Sequence, residues 1–334
     1  MHKWLNYTRD DNAINNLLEI VYSYQKSRVL LTACELNIFS IIGTENKQSD
    51  EIAFQIDADK AATHKLLDCL CSMEILEKKA NTYSNTILSL RFLVKSKPEY
   101  ISIMGWNNHL WKKWNNLTEC VKKGTAVEFT EIKELSGIDL DSFIDSIHWR
   151  SYLLAPDVLK LIKLDNISNM LDLGGIGDYA IEFSQSKEDL FATIVTYPNV
   201  ANYAMENIKE HRASDKVKII SGDYLDCEIG SGYDFVFLSF VLNMNSIWEN
   251  IDLARKVYDA MKPGAKIVIQ DYLLSDSRTG PDYNALFPLE MLVTSKSGDA
   301  LTSSDVWIIL KEAWFHKIDK VETEFGTSLV FAEK

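Results

Sequence analysis

Apolar residues recur at two different periods along this chain, and the change of period separates its two halves. In the first half the period is helical. Ile14, Leu17, Leu18, Val21 and Tyr22 fall at i, i+3, i+4, i+7 and i+8 on one face. A second apolar segment, Val29 to Ala33, runs out near Ile38 and Phe39. Ser49, Asp50 and Glu51 ahead of Ile52 and Ala53 read as a helix start with early acids. From Asp59 to Met73, Ala62, Leu66, Leu67 and Leu70 share a face. Ile75 to Lys79, the turn Ala80 to Thr82, and Tyr83 then read as strand, turn and strand. Helix, helix, strand, turn, strand predicts a winged helix-turn-helix. Residues 100–123 carry Trp106, Trp111 and Trp114 at roughly helical spacing, as core or pocket wall. Residues 125–165 read as connecting helices packed through Phe143, Ile144, Ile147, Leu153 and Leu154.

In the second half, strand and helix alternate. Strands are expected at Asn169–Gly174, Ala192–Tyr197, Val217–Ser221, Asp234–Phe240 and Ala265–Gln270. The fourth is nearly all apolar, as a parallel strand covered on both faces should be. Pro198 sits where a helix can begin, since its missing N–H is an orphan there anyway. Ile251, Ala254, Val257, Tyr258 and Met261 form a helix stopped by Pro263-Gly264. Ser303-Ser304 can cap a helix from Asp305 to about Ala313. Ile318–Glu324 and Ser328–Ala332 close the chain as a hairpin. This is an α/β Rossmann-like domain, a mostly parallel sheet with an antiparallel last strand, behind a mainly α N-terminal domain. The expected boundaries are 1–110, 111–165 and 166–334. Ligands in such sheets bind beyond the carboxyl ends of the strands.

Composition narrows the partners. The 334 residues are 46% hydrophobic and 25% charged, enough for two cores. No apolar run approaches the about 20 residues of a membrane span. Phe235–Leu242 is the longest, and Ser239 interrupts it. Met1-His2-Lys3-Trp4 holds no signal-peptide core. A cytoplasmic protein with no membrane partner is expected. The net charge of −13 repels nucleic acid. Lys60, His64 and Lys65 on the second helix of the winged unit are offset by Asp59 and Asp68. A packing module, with no nucleic-acid partner, is therefore expected. Five cysteines without paired CxxC spacing, and six histidines without metal spacing, argue for free thiols and no metal.

Several phrases in the second half resemble one family in the right order. Leu171-Asp172-Leu173-Gly174-Gly175 looks like a first cofactor motif, and Ser221-Gly222-Asp223-Tyr224 like an adenine-side motif. Gly232-Tyr233-Asp234-Phe235-Val236-Phe237-Leu238-Ser239 is similar to the family's fourth strand. Met261-Lys262-Pro263-Gly264-Ala265 and Asp276-Ser277-Arg278-Thr279-Gly280-Pro281 follow. The chain resembles the dimeric S-adenosylmethionine-dependent O-methyltransferases of plant and bacterial specialised metabolism. That resemblance implies a homodimer joined through the N-terminal domain, S-adenosylmethionine as cofactor and a small-molecule acceptor.

It also implies site residues. Asp172, Gly174, Gly175, Gly177, Thr196, Tyr197, Asp223, Tyr224 and Ser239 would bind the cofactor. Trp106, Trp111, Trp149 and Met291 would wall the acceptor pocket. Three departures stand out. The loop Gly174-Gly175-Ile176-Gly177 is one residue shorter than the family's, with Ile176 where a glycine is usual. Either the turn shifts, or the methionine pocket narrows. Thr196 replaces the acid that holds a ribose diol. One neutral hydrogen bond then stands for two charge-assisted ones, a loss of about 1.5–3 kcal/mol that Asp178 or Asn199 could offset. Asn243 stands where the family carries a His as base, and an amide takes no proton near pH 7. His109, His148 and Glu290 are the titratable substitutes. Three functions follow: methyl transfer to a hydroxyl, a scaffold diverted to another reaction on a natural-product intermediate, or a catalytically silent partner.

Overall fold

The structure, a computed structural model, describes residues 12–281 and 284–334. Met1-His2-Lys3-Trp4, weighed above as a signal segment, lies outside them. The chain forms two compact units, Met1–Asn108 and His109–Lys334. The 111–165 segment, set apart in the sequence as connecting helices, is part of the second.

In the first unit the two leading apolar segments merge into one helix, α1 (Asn12–Glu35). Asn37 at φ 57° ends it, a left-handed conformation that Asn tolerates, and α2 (Ile38–Ile42) follows. A short strand β1 (Lys47–Gln48) leads into α3 (Ser49–Gln55), where Gln48 and Glu51 form a reciprocal cap. Asp59 caps α4 (Lys60–Ser72) by accepting the Ala62 N–H at 2.8 Å. Strands β2 (Leu76–Lys79) and β3 (Thr82–Asn85) pair antiparallel, β1 joins on the other side of β3, and α5 (Ile87–Phe92) follows. The core gathers Ile38, Phe39, Ile42, Ile52, Leu67, Leu70 and Tyr83. On α4, Lys60 pairs with Asp50 at 2.8 Å. The apolar face of α1 is not covered: Leu17 is 59% and Ile20 71% exposed.

The division between units falls within α6 (Met104–Trp114). The second unit continues with α7 (Leu117–Lys123) and the long α8 (Gly137–Leu161). Five parallel strands follow: β4 (Asn169–Leu173), β5 (Phe191–Thr196), β6 (Val217–Ser221), β7 (Tyr233–Ser239) and β8 (Met261–Asp271). The intervening helices are α9 (Asp178–Ser186), α10 (Ala201–Glu210) and α11 (Ile247–Ala260). Then come α12 (Phe287–Thr294), α13 (Ser303–Glu312), β9 (His316–Glu322) and β10 (Ser328–Glu333). The sheet order is β6-β5-β4-β7-β8-β10-β9, with β10 antiparallel to both neighbours. Alternation along the strands feeds two cores. Leu171, Leu173, Val236 and Leu238 face α11 and α13, while Met170, Phe235 and Phe237 pack with residues of α8 and α9. No helix among the described residues is long and apolar enough to cross a membrane.

Two local expectations change. Pro198 precedes the helix proper: α10 starts at Ala201, after a leading turn in which the Val200 and Ala201 N–H groups donate to the Tyr197 carbonyl at 2.9 and 3.0 Å. Met261 and Pro263-Gly264 belong to β8, not to a helix end. The β7–β8 register shifts between Tyr233 and Phe235, and Gly264 takes φ 76°, so the irregular start of the strand accommodates both residues.

Candidate functional site

The carboxyl ends of β4, β5, β7 and β8 lie side by side, and the polar residues of interest cluster there. After β4 the chain turns through Gly174 at φ 81° and Gly177 at φ 93°. Both left-handed positions are glycine. Ile176 takes neither and is buried, so the turn puts no positive-φ strain on the β-branched residue. A Cβ on Gly174 would come within 2.9 Å of Val241 Cγ2, so the close approach needs glycine.

Asp172 is 1% exposed. Burial pushes its carboxyl up to about 7, against a hydrogen bond donated by the Ala180 N–H. Its Oδ2 has no partner, nor has the buried Thr196 hydroxyl at the end of β5. Asp178 and Asn199, expected as substitutes for a ribose acid, are each engaged in part, with Asp178 Oδ2 and Asn199 Oδ1 left without a partner. Asp178 Oδ1 meets His148 Nδ1 at 2.9 Å and accepts from Asn207 Nδ2 at 2.7 Å. Asn199 donates its amide to the Ile132 and Leu135 carbonyls. Tyr197 and Tyr224 lie ring to ring at 5.4 Å, and burial raises the Tyr197 hydroxyl. Asp223 accepts the Leu225 N–H at 3.1 Å and pairs with Lys133 at 3.2 Å. Ser239, expected on the cofactor, spends its hydroxyl across the sheet on Gln270 Oε1 at 3.1 Å.

Asn243 lies in a short turn after β7 and is 2% exposed. Its Nδ2 donates to Asp271 Oδ1 at 2.9 Å, and the Tyr272 N–H donates to the same oxygen at 2.8 Å. Asp271 Oδ2 has no partner. Burial pushes the Asp271 carboxyl up to about 6, opposed by the Asn243 hydrogen bond, the Tyr272 N–H and the Arg150 charge. Glu290 on α12 is half-buried. Burial raises its carboxyl, and Arg150 opposes this.

The other candidates are dispersed. His148 on α8 is raised by its Asp178 hydrogen bond. His109 Nδ1 sits 3.1 Å from Asp139. Trp106 falls in the first unit, whereas Trp111 on α6 and Trp149 on α8 are half-buried in the second, and Met291 on α12 is buried. Asp271 and Arg150 escaped the sequence reading. The signal for Asp271 was its place: an acid ending a buried parallel strand sits on the ligand side of the sheet.

Comparison with known proteins follows the same division. Residues 117–316 match the O-methyltransferase domain and residues 18–95 the O-methyltransferase dimerisation domain. Over 96% of both chains, the sequence is 23% identical to the tetracenomycin polyketide synthesis 8-O-methyl transferase TcmO of Streptomyces glaucescens. It is 24% identical to the 3-hydroxy-5-methyl-1-naphthoate 3-O-methyltransferase of Streptomyces sahachiroi, over 83% of this chain and 82% of that one. The solved structure of PigF with SAH superposes at a TM-score of 0.89 with 18% identity, over 96% of this chain and 99% of the other. Human N-acetylserotonin methyltransferase in complex with SAM does so at 0.84 with 22% identity, over 98% and 99%. The chain belongs to the O-methyltransferase family, and carries that family's dimerisation domain ahead of its methyltransferase domain.

Proposed function

We propose that this protein transfers the methyl group of S-adenosylmethionine to a hydroxyl of a small aromatic metabolite, with Asp271 taking the proton. One observation carries the reading. Three buried side chains at the carboxyl ends of β4, β5 and β8 (Asp172, Thr196 and Asp271) each keep one oxygen without a partner. Buried polar atoms are seldom left so unless a ligand completes them.

Asp172 Oδ2 and the Gly174–Gly177 turn would hold the aminoacid end of the cofactor. Thr196 would reach the ribose and the Tyr197–Tyr224 pair the adenine. When bound, S-adenosylmethionine supplies an electrophilic methyl group. Asn243 and the Tyr272 N–H fix one carboxylate oxygen of Asp271, leaving Oδ2 to accept the acceptor's hydroxyl proton. A group near pKa 6 is mostly ionised at neutral pH and still basic enough for a phenol. The N-terminal unit would join two copies through the exposed face of α1, in the cytoplasm, with the helices and small sheet of a winged unit serving packing.

The test is calorimetric titration with S-adenosylmethionine and S-adenosylhomocysteine, then transfer of labelled methyl to a panel of phenols. Binding of both, with label on a phenol oxygen, supports the reading; no binding of either overturns it. A second reading, a scaffold turned to another reaction, is favoured by the Lys133 ion pair on Asp223 and the absent ribose acid. It would take over in that case.

A further inference from the structure

Arg150 carries a charge that no described residue answers with an ion pair. It lies on α8 and is half-buried, with its guanidinium 4.0 Å over the Phe240 ring. It makes no ion pair and no hydrogen bond with any described residue. Yet Asp271, Glu290 and Tyr179, on β8, α12 and α9, all feel its charge. A chain of contacts links the cation to the carboxylate: the guanidinium lies over Phe240, Phe240 packs on Tyr272, and the Tyr272 N–H donates to Asp271 Oδ1 at 2.8 Å. The backbone supports this placement. Phe240 adopts φ 56°, rare for an aromatic residue, and packs on Tyr272 at 5.0 Å, which meets Phe287 at 5.6 Å.

Stacking on Phe240 occupies a flat face of the guanidinium and leaves its N–H edge without an acceptor. A half-buried cation with idle donors is costly, and a planar two-oxygen anion is the partner that matches its fork. The anion is limited in charge. Asp271 and Glu290 share the space, so a phosphate dianion would meet two carboxyl groups, whereas a single carboxylate is offset by the one guanidinium. The surrounding rings favour a flat body.

We propose that Arg150 recognises a carboxylate on the acceptor, so that the substrate is a hydroxylated aromatic acid held by Arg150 at its carboxylate and by Asp271 Oδ2 at its hydroxyl. This rests on the methyl-acceptor reading of the pocket. Asn243 holds the other Asp271 oxygen and so fixes the direction in which Oδ2 faces.

The experiment measures binding rather than turnover. Hydroxynaphthoic acids and the naphthols that lack the carboxylate are titrated calorimetrically into the full-length protein, and into Arg150→Gln and Arg150→Lys. S-adenosylhomocysteine binding monitors the fold of each variant. The intact protein should bind at least one acid about tenfold to a hundredfold more tightly than its naphthol, as a charge-assisted pair implies. Arg150→Gln should erase that preference and leave naphthol binding unchanged. Arg150→Lys, which keeps the charge and loses the fork, should retain part of it. Equal affinity for each acid and its naphthol, or an equal loss for both in Arg150→Gln, overturns the proposal. Failure of S-adenosylhomocysteine to bind the intact protein would sink the methyl-transfer reading alone, because the acid preference is read independently of it.

Discussion

Asp271→Asn should make the protein more stable and less active at once. Burial moves this carboxyl from 3.8 to about 6. The folded state therefore holds the proton more firmly than the unfolded chain, and stability falls as pH rises from about 4 to about 6. At pH 7.5 both states are ionised and the folded one bears the full desolvation cost. At about 1.4 kcal/mol per pH unit, the gap corresponds to about 3 kcal/mol. Asparagine has nearly the same shape, and its Oδ1 can still accept from Asn243 Nδ2 and the Tyr272 N–H. Orienting the new amide costs part of the gain, so about 1–3 kcal/mol should appear in urea denaturation at pH 7.5. At pH 4 the gain should shrink below about 1 kcal/mol, because the native carboxyl is by then protonated and most of the unfolded-state difference is gone. Turnover should fall by about 10²–10⁴, the usual worth of a general base, and the limb of the pH–rate profile rising through about pH 6 should vanish. A variant that is destabilised at pH 7.5, or that keeps the wild-type rate and inflection, refutes the buried-base argument.

Three further outcomes test other parts of the structure. Thr196→Asp should tighten S-adenosylmethionine binding by about tenfold to a hundredfold in calorimetry, since a carboxylate can take both ribose hydroxyls; unchanged or weaker binding would place the ribose elsewhere. Gly177→Ala should cost about 1–3 kcal/mol in chemical denaturation, because φ is 93° and the new Cβ would lie 2.6 Å from Ile194 Cδ1. Gly264→Ala, with φ 76° and nothing within 4 Å, should cost only the backbone part, about 1–2 kcal/mol; equal losses at both sites would remove the packing argument. Light scattering at micromolar concentration should show a dimer, and Leu17→Glu with Ile20→Glu on α1 should give a monomer, since a face this apolar is rarely left in water.

The sheet was legible because its strands are buried on both faces. β7 reads as an almost unbroken apolar run, and a parallel strand has little choice. The glycine turn was legible too, since left-handed positions leave a residue-type signature, and Ile176 falls on neither of them. The site chemistry was less so. Asp271 follows Gln270 at the point where a strand gives way to a loop, and an acid there looks like the first solvated residue. Its carboxylate is held by Asn243, 28 positions earlier. Arg150 sits in an amphipathic helix among ordinary polar residues. What distinguishes it is Phe240, 90 positions away, held at a φ that phenylalanine does not advertise. His148 stood among the titratable candidates, and its partner Asp178 lies 30 positions away, a contact that no local pattern encodes.

If position 243 is where the family carries its imidazole, as the resemblance implies, the amide there has a geometric consequence. A histidine there would stand between the carboxylate of Asp271 and the acceptor, with the carboxylate holding the ring in one tautomer. The amide of Asn243 cannot carry a proton, but it grips Asp271 Oδ1 at 2.9 Å and leaves Oδ2 open. With Asp271 as the proposed base, the basic atom would lie one side chain deeper, at the end of β8 rather than beyond it. An acceptor must come closer to the sheet to deliver its proton, and a flat molecule drawn inward needs something to set its depth. Arg150, stacked on Phe240 and within electrostatic reach of Asp271, is placed to do that. It also favours the ionised form of the carboxylate, offsetting part of the burial that would otherwise protonate it. On the proposed reading, the amide at position 243 and the arginine without an ion pair among the described residues form one arrangement: the first would move the base inward, and the second would fix where the substrate must sit to reach it.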